Sequence, residues 1–74
     1  MTPTVLDTSG MKCPLPVLKA KKAMALLTRG AILEIIATDP GSVADFAVFC
    51  TLGGHKLLSH SEAGGVFHFK IERG

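Results

Sequence analysis

Prolines 14, 16 and 40 constrain this chain more than any other feature of its sequence. The first four backbone N–H groups of an α-helix have no intrahelical partner, so a proline there gives up no bond. Deeper in a helix it removes a hydrogen bond and clashes with the preceding turn. Pro14 and Pro16 stand at the head of a run of helix formers, and Pro40 follows Thr38-Asp39 ahead of a second run. The placement predicts one helix from Pro14 to about Thr28 and another that starts with Asp39 as N-cap and Pro40 as first residue.

The segments around these helices read as strands. Thr4-Val5-Leu6-Asp7 is β-branched at two positions and is followed by Thr8-Ser9-Gly10, a strand and then a loop. Ala31 to Ala37 is apolar except for Glu34, as expected of a central strand with Leu33 and Ile35 inward. Glu34, Ile32 and Ile36 then share the opposite face, which leaves some apolar sheet surface uncovered or facing a partner. His55 to Glu62 and Val66 to Arg73 flank Ala63-Gly64-Gly65 as a hairpin, with Phe67, Phe69 and Ile71 on one side of its second strand. The order is β-α-β-α-β-β, and right-handed crossovers place both helices on one face of the sheet.

Helical periodicity assigns the faces. In the first helix Val17, Ala20, Ala23, Met24 and Leu27 share a core stripe, whereas Lys19 and Lys22 fall near Leu15, Leu18 and Leu26 on the other side. Leucines among lysines on an exposed face fit a docking surface, although most lysine faces are simply solvated. In the second helix Val43, Phe46, Ala47 and Cys50 recur at core spacing, so Cys50 reads as a small buried hydrophobe. Asp45 points nearly opposite that stripe, as a surface charge or a partner contact. Arg29-Gly30 reads as the end of the first helix and Gly53-Gly54 as the end of the second.

Cys13 immediately precedes the first helix and reads as its N-cap, a position that Ser, Thr, Asp or Asn would fill better. The free N–H groups of Leu15 and Val17, the positive end of the helix dipole and the cation of Lys12 all favour a thiolate there. With 74 residues the chain suffices for one domain, 1–74, with one small core. No basic start leads into an apolar run and no stretch approaches membrane-spanning length, which predicts a cytoplasmic protein. In a reducing compartment two cysteines argue for thiol chemistry rather than a structural bridge. Their spacing offers no C-x-x-C pair, and the two sulfurs are expected to lie well over ~10 Å apart. His60 and His68 would be cross-strand neighbours if the hairpin loop were centred on Gly64. Two histidines without a third ligand are weak grounds for a metal site, and neither a metal nor a cofactor is expected.

The segment Gly10-Met11-Lys12-Cys13-Pro14-Leu15-Pro16, with Leu6-Asp7, Asp39-Pro40, Asp45, Phe49-Cys50 and the closing hairpin, resembles the TusA/SirA family of small sulfur-carrier proteins. The resemblance implies a two-layer α/β sandwich, an α+β fold whose mixed four-stranded sheet has the order 1-2-4-3 with strand 4 antiparallel. It also implies that Cys13 carries a persulfide, loaded by a cysteine desulfurase or a rhodanese-like sulfurtransferase and passed to a downstream acceptor. Acceptors in such proteins serve tRNA thiolation, cofactor synthesis or sulfur oxidation. Lys12, Pro14 and Pro16 support the motif, and Leu15, Leu18, Lys19, Lys22 and Asp45 are candidate partner contacts. Leu15 occupies the variable position, where the tRNA-thiolation members resemble Cys-Pro-Glu-Pro.

The residues agree with a carrier: an exposed, dipole-stabilised thiolate suits both attack on a persulfide and later release of sulfur. No general base stands within the motif, so the chain reads as a stoichiometric carrier whose partners supply catalysis. A regulatory module contacting nucleic acid through Lys12, Lys19, Lys21, Lys22 and Arg29 is the main alternative. A formal charge of +2, no Trp or Tyr and only four Phe argue against direct nucleic-acid binding. Haem sensing through Cys13-Pro14 ranks last, because no axial partner is identifiable.

Overall fold

A computed structural model describes residues 4–12 and 14–74. Its elements are β1 (Thr4–Thr8), α1 (Leu15–Ala25), β2 (Ile32–Ala37), α2 (Ser42–Gly53), β3 (Lys56–Ala63) and β4 (Val66–Glu72). The strands form one sheet in the order β1-β2-β4-β3. β1 runs parallel to β2, and β4 runs antiparallel to both β2 and β3. Both helices cover the same face, and a single core joins Ala20 and Met24 of α1, Phe46 and Cys50 of α2, and Leu33, Ile35, Ala37, Phe69 and Ile71 of the sheet. The expected sandwich, strand order and helix placement are all present.

Alternation along the central strands generates this layering. Leu33, Ile35 and Ala37 are buried beneath the helices while Ile32, Glu34 and Ile36 are half-buried on the open face. Phe46 of α2 sits 4.8 Å from Phe69 of β4, measured between ring centroids, and meets Phe49 edge-on at 6.2 Å. Removing a ring of this kind costs about 3–5 kcal/mol. No helix among the described residues is long and apolar enough to cross a membrane.

Helix boundaries differ from expectation for identifiable reasons. α1 begins at Leu15 with Pro14 in the cap position, so Pro16 is its second residue. Its end falls at Ala25, short of Arg29-Gly30. There the N–H groups of Leu26 and Leu27 bond three residues back to Ala23 and Met24, and Arg73 Nε–H donates to the Met24 carbonyl at 2.9 Å. Arg73 thus takes an acceptor that a longer helix would need. α2 begins at Ser42 rather than Pro40. Asp39 instead closes the preceding turn, its carboxylate accepting the Gly41 N–H at 3.1 Å and its carbonyl the Ser42 N–H at 3.0 Å.

Two side-chain assignments change as well. Ala47 is exposed, because the buried arc of α2 is turned towards Ser42 and away from it: Ser42, Phe46 and Cys50 are buried, with Val43 and Phe49 packed beside them. The hairpin turn contains only Gly64 and Gly65, both with positive φ (59° and 81°), as a two-residue type I′ turn requires. This half-residue shift of the turn centre pairs His60 with Phe69 and Ser61 with His68. His60 therefore shares the helix-covered side with Phe69, and His68 lies on the open face. The two histidines are not directly opposed, so the cross-strand pairing expected of a loop centred on Gly64 is not formed.

Candidate functional site

The loop from β1 to α1 is tied down ahead of the cysteine motif. Thr8, fully buried, donates its hydroxyl to the Ile36 carbonyl at 2.6 Å. Asp7 accepts the Ser9 N–H at 2.9 Å and the Ser9 hydroxyl at 2.6 Å, and these bonds hold its carboxyl below its ordinary pKa. Gly10, at φ +79°, donates its N–H to Thr38 Oγ1 at 2.8 Å, and Met11 N–H bonds the Thr8 carbonyl at 3.1 Å. The loop is thus latched to the turn that leads into α2.

Beyond the loop, the Lys12 carbonyl accepts the Leu15 N–H at 2.9 Å, so this N–H is not left free as expected, and the Pro14 carbonyl accepts the Leu18 N–H at 3.0 Å. Pro16 is fully buried, a role in the core that its position in the motif did not announce. The cap position expected for Cys13 is taken by Pro14, because the first intrahelical bond runs from Leu18 N–H to the Pro14 carbonyl; Cys13 itself, with its separation from Cys50, lies outside the described residues. Its flanking residues have defined places: Lys12 and Pro14 are exposed, and α1 has no acidic side chain in its first turn. Cys50 is buried in α2, and burial pushes its thiol above the ordinary value. Among the described residues no group of three or more His, Cys, Asp or Glu side chains could hold a metal ion.

An open groove of about 600 Å³ runs between α1 and α2. Its α1 wall is Pro14, Val17, Leu18 and Lys21, and its α2 wall includes Asp45, Val48, Phe49 and Leu52. His55 closes one end, its ring 5.3 Å from that of Phe49 and its Nδ1 accepting the Gly74 N–H at 3.1 Å. Of the candidate partner residues, Leu18 and Asp45 line this groove, and Asp45 is half-buried rather than free in solvent. Leu15, Lys19 and Lys22 are exposed on α1 but do not line it.

Sequence reasoning did not identify Lys21, Val48, Leu52 and His55 as groove residues or Thr38 as the loop's anchor. One signal for the groove was available: Asp45, Val48, Phe49 and Leu52 recur at i, i+3, i+4 and i+7, a second stripe on a helix already supplied with a core stripe. Thr38 could not be found this way, because its bond to Gly10 spans 28 positions.

Comparison with known proteins covers almost the same span as the fold. The family described as Sulfurtransferase TusA matches residues 4–73. The sulfur carrier protein TusA of Allochromatium vinosum is 50% identical over 68 residues, covering 92% of this chain and 90% of that protein. A putative sulfur carrier protein of Neisseria meningitidis is 47% identical over 72 residues, 97% of each chain. The crystal structure of a SirA-like protein from Desulfitobacterium hafniense aligns with a TM-score of 0.84 at 26% identity, covering 96% of this chain and 97% of that one. A match of this extent, on a fold with the expected strand order and helix placement, means that the chain belongs to the TusA family.

Proposed function

We propose that this chain is a sulfur carrier and that residues 1–74 act as one carrier domain with Cys13 as the thiol that holds the sulfur. The observation that carries this reading is that relatives about half identical along nearly the whole chain are named sulfur carrier proteins. The Cys13 thiolate attacks the outer sulfur of a donor persulfide, the donor's S–S bond breaks, and the donor leaves as a thiolate. Cys13 then bears the persulfide, and attack by an acceptor thiolate on its outer sulfur returns Cys13 to the thiolate. No external oxidant or reductant enters either step.

The surroundings of the motif support these roles. Pro14 and Pro16 restrict the backbone at the start of α1, and the helix's positive end and Lys12 favour the anionic sulfur. Donors of the cysteine desulfurase or rhodanese-like class fit this chemistry, with Leu15, Leu18 and Asp45 as contact residues and the exposed Lys19 and Lys22 as charges that steer the donor towards them. Incubation with a cysteine desulfurase and cysteine, followed by intact-mass measurement, tests the reading. A gain of one sulfur atom is expected, reversed by reductant, lost in Cys13→Ser and kept in Cys50→Ser. No adduct on the wild-type chain, or an adduct that survives Cys13→Ser, overturns it.

A further inference from the structure

The groove between α1 and α2 has the shape and chemistry of a helix-binding furrow. Each wall is one helical stripe at i, i+3, i+4 and i+7: Pro14, Val17, Leu18 and Lys21 on α1, and Asp45, Val48, Phe49 and Leu52 on α2. Both helices cover the same sheet face and run roughly parallel, so their outward stripes form the kind of groove in which the ridge of a third helix packs. The large apolar side chains there are displayed rather than covered: Leu18 is 49% exposed, Val48 56% and Leu52 83%.

Charge narrows the occupant. No Asp or Glu occurs between Asp7 and Glu34, whereas Lys12, Lys19, Lys21, Lys22 and Arg29 all fall in that interval. Lys21 lines the α1 wall and Lys22, beside it in the chain, is exposed. The α2 wall carries the single charge of Asp45. A fitting ligand therefore has an apolar stripe for the floor, acidic side chains along the flank facing α1, and no acid on the flank facing Asp45. A nucleic-acid backbone would satisfy Lys21 but would leave the leucines uncovered and set phosphate near Asp45.

We infer that the groove between α1 and α2 receives an amphipathic helix of a partner protein, apolar on the face it buries and acidic on the flank beside α1. The groove starts at Pro14, the residue after Cys13, so an occupant would bring its protein to the sulfur-bearing end of α1. Identification of that partner as a sulfur-transfer protein rests on the carrier reading; the binding mode does not. Anchoring by side chains at i, i+3, i+4 and i+7 is the usual way a groove holds a helix.

The test uses the full chain and synthetic helical peptides of about four turns. They share one leucine stripe and carry glutamate, glutamine or lysine on one flank. Affinities are measured by fluorescence anisotropy, and the site is mapped by backbone amide shifts. The glutamate peptide should bind tightest and the lysine peptide weakest, with shifts confined to the groove walls and His55. Leu52→Asp should weaken the glutamate peptide about tenfold or more, and Lys21→Glu should reverse the order of the peptides. Cys13→Ser should bind as wild type does, so failure of sulfur loading and failure of docking read out separately. Equal affinity for the three peptides, shifts away from the groove, or the same shifts produced by RNA or by anionic vesicles would overturn the proposal.

Discussion

Cys50 is kept from thiol chemistry by its surroundings. It is 4% exposed on the core stripe of α2, and loss of hydration around a charged sulfur raises its pKa. The sign of the linkage follows. Because the folded-state value lies above the unfolded one, this contribution to stability is fully present below the pKa of the unfolded thiol. It is lost as pH rises through the folded value. Cys50→Ala should cost roughly 1–2 kcal/mol in packing at neutral pH. It should also flatten the alkaline fall in stability relative to wild type, measured by thermal unfolding across the alkaline range. In Cys13→Ser, iodoacetamide should modify Cys50 only as fast as the fold opens. Rapid modification under native conditions, or parallel alkaline limbs for wild type and Cys50→Ala, would contradict this account.

Between elements, the bond from Gly10 N–H to Thr38 Oγ1 fixes the approach to α1. Thr38→Val keeps the shape and removes the acceptor, while Thr38→Ser restores it. The site is exposed, so the stability change should be below about 1.5 kcal/mol. Alkylation of Cys13 should nevertheless slow several-fold with an altered pH profile in Thr38→Val, and recover in Thr38→Ser. A Thr38→Val profile identical to wild type would show that the latch does not position the motif. Periodicity made the elements legible, since Leu33/Ile35 and Phe67/Phe69/Ile71 alternate and Ala20/Met24 repeat. Their boundaries depended on partners remote in sequence: Arg73 takes the Met24 carbonyl, and Asp39 spends its carboxylate on a turn instead of a helix cap. The His60–His68 pairing was lost for a similar reason, because a two-glycine turn and a three-residue loop look alike in sequence yet differ by half a residue in register. In the candidate site, the motif and the exposed lysines of α1 were legible, but the groove required two helices to be placed side by side.

For the whole molecule, the distribution of charge matters more than its sum. A formal net charge of +2 is small, but the cations between Asp7 and Glu34 face no acid within that stretch, and α1 presents Lys19 and Lys22 to solvent. A basic face of this kind speeds encounter with an acidic partner surface through the long-range field, and salt screens that gain over a Debye length of about 10 Å at 0.1 M. Lys19 and Lys22 stand outside the groove, so their contribution should appear in the rate of encounter rather than in the affinity of a groove-bound helix. Each Lys→Glu change removes two units of charge without touching the core. Sulfur loading of Lys19→Glu/Lys22→Glu by a desulfurase should therefore slow about tenfold at low salt and converge on the wild-type rate as salt is raised. Thermal stability should stay near that of wild type, because both side chains are exposed. Loading unchanged at low salt would mean that these lysines are merely solvated, while a deficit that persists at high salt would place them in a direct contact instead of in the steering field.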